Sequence, residues 1–241
     1  MMSEQEAGPV MEITCRTPWL IVHFQQPQDM VSWAVAGGGR RRCQSVAWYQ
    51  VRDHELSPEV VPLEYLRVRL NAEGLQDAVA LLTSHTVDQF SDVEKSREES
   101  MARCIATVGL TNALRAGDPD HEAEPAGTIN LLCWLSDSLT ERAMLEALSL
   151  AAEARTAAML DGGIPSFLSG HPATGTGTDC IVIAAPSSDA ARTATRQQPL
   201  EYTGKHTLAG SLIGAAVYEA VIAGIECWKR SHGEFAATRE S

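Results

Sequence analysis

Several things are absent from this sequence, and each absence narrows what the chain can do. The six cysteines (Cys15, Cys43, Cys104, Cys133, Cys180 and Cys227) lie far apart with no C-x-x-C pair, which argues against a disulfide scaffold or a thiolate zinc site. They read as reduced cytosolic thiols, four of them inside apolar patterns. Basic charge is short: 19 Lys and Arg against 31 Asp and Glu leave a formal charge of -12, which repels phosphate backbones and disfavours nucleic acid as a partner. Arg40, Arg41 and Arg42 form a basic run too short to reverse this, and read as a solvated hairpin turn. The first nine residues have neither the basic nor the apolar region of a signal peptide. There is no internal repeat, no convincing linker, no G-x-S-x-G elbow, no H-E-x-x-H, no Walker loop and no dinucleotide fingerprint. His23, His54, His85, His121, His171 and His232 show no metal-ligand spacing, so no protein-bound metal is indicated.

The 241 residues, 44% hydrophobic and 21% charged, have the make-up of a soluble globular protein able to bury a substantial core. Residues 1–10 and 231–241 read as tails around one domain spanning 11–230. Strands are expected at Met11–Arg16, Trp19–Phe24, Met30–Ala36 and Gln44–Val51, separated by turns at Gln25–Asp29 and Gly37–Arg42. Helical spacing runs from Pro62 to Asn71, with Pro62 near the first turn and Gly74 after the end. Strands follow at Ala78–Leu82, Cys104–Leu110, Thr128–Leu135 and Cys180–Ala185, and Asp88–Ser100 reads as a loop or exposed helix. Residues 115–126 and 187–199 read as polar loops. Ser138-Leu139-Thr140-Glu141 matches a capping box for a helix ending at Gly162-Gly163. A last helix, about Leu208 to Lys229, has the length and apolarity of a membrane span, but Glu219 and Glu226 favour a core helix. The predicted class is α+β: antiparallel or mixed sheet covered by long helices, with a layered pair of sheets as one option.

The stretch of most chemical interest is Ala173-Thr174-Gly175-Thr176-Gly177-Thr178-Asp179. Alternate glycines let backbone approach a ligand, threonines offer hydroxyls, and Asp179 sits where the loop enters a strand. The plain alternative is a glycine-rich turn capped by an Asp. Glu153 lies in an alanine-rich helix with no cation among its three- and four-residue neighbours, and His206 stands beside Lys205 ahead of an expected N-cap at Thr207. Amide hydrolysis needs a base or nucleophile, donors for the oxyanion and an acid for the leaving amine. Asp179 or Glu153 suits the first and last of these, Asn130, Lys205 or loop amides the second. Thr128 or Thr178 can serve as nucleophile, although nothing local marks either as activated.

In order along the chain, Gly127-Thr128-Ile129-Asn130, Glu153-Ala154-Arg155, the glycine–threonine loop and Tyr202-Thr203-Gly204-Lys205-His206-Thr207 resemble the adenosylcobinamide amidohydrolase family. The similarity extends upstream through residues 31–39 and 109–112, so it covers about Trp19 to Trp228. The resemblance implies hydrolysis of the amide between the aminopropanol arm and the corrin ring, giving adenosylcobyric acid, in bacterial and archaeal salvage of coenzyme B12 precursors. It implies a corrinoid as small-molecule partner, with cobalt arriving with the substrate and no cofactor bound by the protein; the cysteines read as those of a cytoplasmic protein, and a homo-oligomer stays open. Candidate catalytic residues are Glu153, Asp179, Asn130, Lys205 and His206. Candidate substrate contacts are Trp33, Gly37, Gly38, Trp48, His85, Asn112, Thr128, Thr176, Thr178 and Tyr202. Arg155, Trp48 and His85 depart from the residues expected at those places in relatives. A corrinoid-binding module without hydrolysis, or an amidase for another substrate, would carry the same chemical groups.

Overall fold

The structure, a computed structural model, describes residues 10–52, 55–56, 59–120, 127–187 and 198–233. The expected tails, His54, His121, half of the 115–126 segment and most of the 187–199 segment fall wholly or partly outside these ranges.

Strands β1 (Met11–Arg16) and β2 (Trp19–Ser32) pair antiparallel, Met11 opposite Phe24, and β2 pairs antiparallel with β3 (Gly39–Gln50). The turn expected at Gln25–Asp29 is instead a bulge between His23 and Gln28 inside one long strand. A bulge absorbs extra residues while both flanks keep their pairing. Here it also aims the buried Gln28 side chain at the indole N–H of Trp134, 3.0 Å away. The three arginines belong to the start of β3 rather than to a turn: Arg42 Nε donates to Asp29 Oδ1 at 2.8 Å and Arg40 pairs with Glu141 at 2.8 Å.

Helix α1 (Pro62–Glu73) starts on its proline and ends at Gly74, whose φ of 73° is the left-handed cap that glycine adopts without strain. After β4 (Val79–Thr83) the chain forms a hairpin, β5 (Ser91–Arg97) with β6 (Ser100–Val108). The loop or exposed helix expected over Asp88–Ser100 is therefore mostly an edge strand. Its charged side chains misled the pattern: an edge strand with one solvated face carries charge and still satisfies its backbone. Asp92 pairs with Arg103 at 2.6 Å and Lys95 with Glu219 at 2.6 Å. Two short strands, β7 (Ala113–Leu114) and β9 (Gly175–Thr176), pair with each other, while β8 (Ile129–Leu135) and β10 (Cys180–Pro186) are buried almost throughout.

Helix α2 (Glu141–Asp161) is capped by Thr140, whose side chain accepts from Ala143 N at 3.3 Å, two residues after the Ser138 of the expected capping box. Residues 138–140 are held extended against Leu200: Leu200 N donates to Ser138 O at 2.8 Å and Thr140 N to Leu200 O at 3.0 Å. That pairing delays the helix. Helix α3 (Leu208–His232) begins at Thr207 as expected.

The main sheet has eight strands in the order β4-β3-β2-β10-β8-β6-β5, with β1 beside β2; β8 and β10 run parallel, as do β3 and β4. It is α+β, and its sheet folds over on itself. Asn130 on β8 donates from Nδ2 to Leu82 O on β4 at 2.7 Å, although three strands separate β8 from β4 in the sheet. Alternate residues of β3 (Val46, Trp48) and β8 (Leu132, Trp134) meet in one inner core. The outward residues of β6, β8 and β10 pack under α2 and α3, and those of β3 under α1. Period-2 alternation thus builds three apolar layers from one sheet. Packed this way, α3 is a core helix.

Candidate functional site

Register decides which groups meet. In the parallel pair β8/β10, Asn130 lies opposite Cys180, so Thr128, just before β8, and Thr178, two residues before β10, come out side by side. Their hydroxyls are in hydrogen-bond contact, Thr128 Oγ1 lies 3.1 Å from Thr178 O, and Thr178 Oγ1 donates to Gly127 O at 3.3 Å. On the other side of β8, β6 runs antiparallel with Val108 opposite Ile129, and Gly109 N donates to Thr128 O at 2.9 Å. The chain leaving β6 therefore carries Asn112 over Gly127. The fold-over of the sheet then brings the end of β4, Thr83 and Ser84, to the same place.

These groups line a cleft of about 490 Å³ between the two halves of the folded sheet. Val35, Val51, Leu56, Leu82 and Leu114 make an apolar wall, and Thr83, Ser84, Asn112, Thr128 and Thr178 make a polar end. Among its described lining residues there is no Asp, Glu, His, Lys, Arg, Cys or Tyr. Asn112 Oδ1 is buried without a donor, and its Nδ2 lies toward Gly177, which also lines the cleft.

Asp179 does not face the cleft. Its carboxylate accepts from Ile129 N at 3.0 Å, Thr176 N at 3.0 Å, Thr176 Oγ1 at 2.5 Å and Arg155 Nη1 at 2.6 Å. Burial pushes its pKa up, opposed by the Arg155 guanidinium and by the Thr176 and Ile129 donors. With four donors in place the carboxylate is a bracket that holds the 174–178 loop to β8 and α2. Asn130 is similarly committed, its Nδ2 spent on Leu82 O. Trp33 donates from Nε1 to Asp179 O at 2.6 Å and leaves the indole 50% exposed, a fixed aromatic surface next to the loop.

The other expected site residues lie elsewhere. Glu153 forms an ion pair with Lys205, and both line a shallow groove between α2 and α3 with Leu150, Ala154 and Tyr218. Exposures of 52% and 70% for Glu153 and Lys205 make this a solvated pair. The helix leaves Glu153 without a local cation, and the loop after Thr203 supplies one. That loop is clamped to α2 by Thr203 N donating to Glu146 Oε2 at 2.6 Å and Thr203 Oγ1 to Ala143 O at 2.8 Å. His206 is exposed in it, and Tyr202 is exposed with the Arg142 guanidinium 5.6 Å from its ring centre. The chain thus separates the expected catalytic five: Asn130 and Asp179 flank the cleft, whereas Glu153, Lys205 and His206 do not line it.

Trp48 is wholly buried in the inner core and makes no wall to the cleft. Gly37 packs against Ala78 and Arg41, and Gly38 against Ala34 and Trp33. His85 is buried beside Gly109, and burial together with nearby His232 lowers its pKa, against the opposing effect of Asp88. Thr83, Ser84, Leu114 and the apolar wall were not singled out as ligand contacts by sequence. The strand-end position of Thr83-Ser84 was the one local signal for them. Among the described residues no group of three or more His, Cys, Asp and Glu comes together that can hold a metal ion.

Residues 4–233 match the adenosylcobinamide amidohydrolase family. An adenosylcobinamide amidohydrolase of Methanosarcina mazei is 29% identical over 78% of this chain and 86% of its own length. One of Halobacterium salinarum is 30% identical over 68% of this chain and 66% of its own length. An uncharacterized protein of Methanocaldococcus jannaschii is 29% identical over 66% of this chain and 68% of its own.

Proposed function

Because the chain belongs to the adenosylcobinamide amidohydrolase family, a family of hydrolases, we propose that it hydrolyses the amide joining the aminopropanol arm to the corrin ring of adenosylcobinamide. The products are adenosylcobyric acid and aminopropanol, in the salvage of cobalamin precursors. The observation that carries this reading is the contact between the Thr128 and Thr178 hydroxyls in an apolar cleft that the Asn112 carboxamide also lines.

A cleft of about 490 Å³ falls within the range of small-ligand sites, so it takes the arm and its amide while the broad macrocycle rests outside. The half-exposed Trp33 indole, held by its bond to Asp179 O, offers that macrocycle a stacking surface. Thr128 attacks the amide carbon while Thr178 Oγ1 aligns its hydroxyl and Asn112 Nδ2 donates to the developing oxyanion. The C–N bond breaks, the hydroxyl proton leaves with aminopropanol, and water hydrolyses the resulting ester to the acid. Asp179, Arg155 and Asn130 hold these groups in place. Cobalt enters as part of the substrate, and six unpaired cysteines support work in a reducing cytoplasm. The surplus of acidic groups favours a cationic small molecule over nucleic acid.

Incubation with adenosylcobinamide followed by mass spectrometry tests the proposal, with stoichiometric adenosylcobyric acid and aminopropanol as the expected result. Binding without release of aminopropanol would make the chain a corrinoid carrier. Neither binding nor cleavage would make it an amidase for another substrate.

A further inference from the structure

Turnover of an amide requires a group that takes a proton from the attacking hydroxyl and delivers one to the leaving amine. No described side chain lining the cleft ionises in the working range. An α-amine, with an ordinary pKa of about 7.7–8.0, does both tasks when it belongs to the nucleophile's own residue. In the continuous chain the nitrogen of Thr128 is locked in the Gly127–Thr128 peptide.

That peptide is surrounded as a reacting amide would be. Thr178 Oγ1 donates to Gly127 O at 3.3 Å and polarises the carbonyl. Thr128 Oγ1 has the Thr178 hydroxyl in contact and donates to the Thr178 carbonyl at 3.1 Å, which fixes its orientation. Thr111 and Asn112 crowd Gly127 so closely that an added side chain would meet Asn112 Oδ1 at 2.6 Å and Thr111 N at 2.8 Å. That Asn112 oxygen is buried and has no donor.

The geometry points to a self-processing step in which the Thr128 hydroxyl cleaves the peptide bond before its own residue, freeing the Thr128 α-amine as the base of the cleft. It rests on the reading of Thr128 as nucleophile. Thr128 Oγ1 adds to the Gly127 carbonyl carbon, the C–N bond breaks, and the Thr128 nitrogen takes the hydroxyl proton. This leaves Gly127 esterified to Thr128. Water hydrolyses the ester to a Gly127 carboxylate, and the Thr128 hydroxyl is restored beside its free amine. The step happens once per molecule, so it tolerates a slowness that repeated turnover does not. Strand pairing of β8 with β6 and of β10 with β2 crosses the cut and keeps both pieces in one folded body.

Intact-mass measurement and denaturing electrophoresis of the purified protein, with adenosylcobinamide turnover read on the same samples, test this. Wild type is expected to run as two polypeptides, one beginning at Thr128. Thr128→Ala is expected to remain a single 26.0 kDa chain and to lose more than about 10³-fold in turnover with its melting temperature kept. Thr128→Ser is expected to restore both cleavage and activity, which guards against a folding defect in the alanine variant. Wild type that turns over as an uncut chain overturns the processing step and leaves the substrate assignment standing. Cleavage that persists in Thr128→Ala also overturns it. Cleaved wild type that ignores adenosylcobinamide leaves the processing step standing and sinks the substrate assignment. An uncut, inactive wild type overturns both.

Discussion

Asp179→Asn separates a carboxylate that holds the loop from one that does chemistry. The side chain is 6% exposed and its partner Arg155 is 15% exposed, so solvent screens their ion pair little. A carboxamide of the same shape keeps one acceptor oxygen and turns an N–H toward donors that have lost theirs. Removing one partner of a buried pair costs about 3–5 kcal/mol. At about 2–4 °C per kcal/mol for a domain of this size, the melting temperature should fall by about 6–20 °C. Thermal unfolding by circular dichroism reads this directly, with turnover measured well below the transition. Arg155→Met should cost a similar amount, and the double variant should cost less than the sum, since both changes break one bond. An Asp179→Asn variant that melts within about 2 °C of wild type while losing turnover would refute the bracket and make Asp179 a reacting group.

Glu153→Gln breaks an exposed pair worth about 0–1 kcal/mol, so its melting temperature should move by no more than about 4 °C and its turnover should stay near wild type. A loss of more than about tenfold would return Glu153 to the reaction. Asn130→Ala removes the bond from β8 to Leu82 O across the inner core. About 1–3 kcal/mol, or about 2–12 °C, should be lost in thermal unfolding, and an unchanged midpoint would refute that role. Folding lowers the pKa of His85 from its ordinary 6.5, chiefly by burial. The unfolded chain binds the extra proton first, so the contribution is present above 6.5 and is lost as pH falls from there toward the lowered folded value. Melting curves from about pH 7 to about pH 5 should therefore flatten in His85→Gln, and parallel curves for the two proteins would count against it.

Read alone, the chain sufficed for most of its elements, because their signals are local. Pro62 and Gly74 bound α1, Thr207 caps α3, and the unbroken apolar runs at β8 and β10 have one solution, a strand buried on both faces. The family was also legible, from short motifs in order. Where sequence reasoning went astray, partners distant along the chain had overruled local cues. Gln25–Asp29 became a bulge because Trp134 draws Gln28 inward, β5 became a strand because β6 completes its hydrogen bonds, and Thr140 displaced Ser138 as the cap because Leu200 pairs with the residues between. The site depended on this most of all. No spacing shows that Asn130 spends its amide on Leu82, that four donors surround Asp179, or that Glu153 pairs with Lys205 in the groove between α2 and α3. Only strand register set Thr128 beside Thr178, and only the folding of the sheet closed an apolar wall over them. A side chain's chemistry is read from its letter, but what remains free to react depends on which neighbours the fold has already given it.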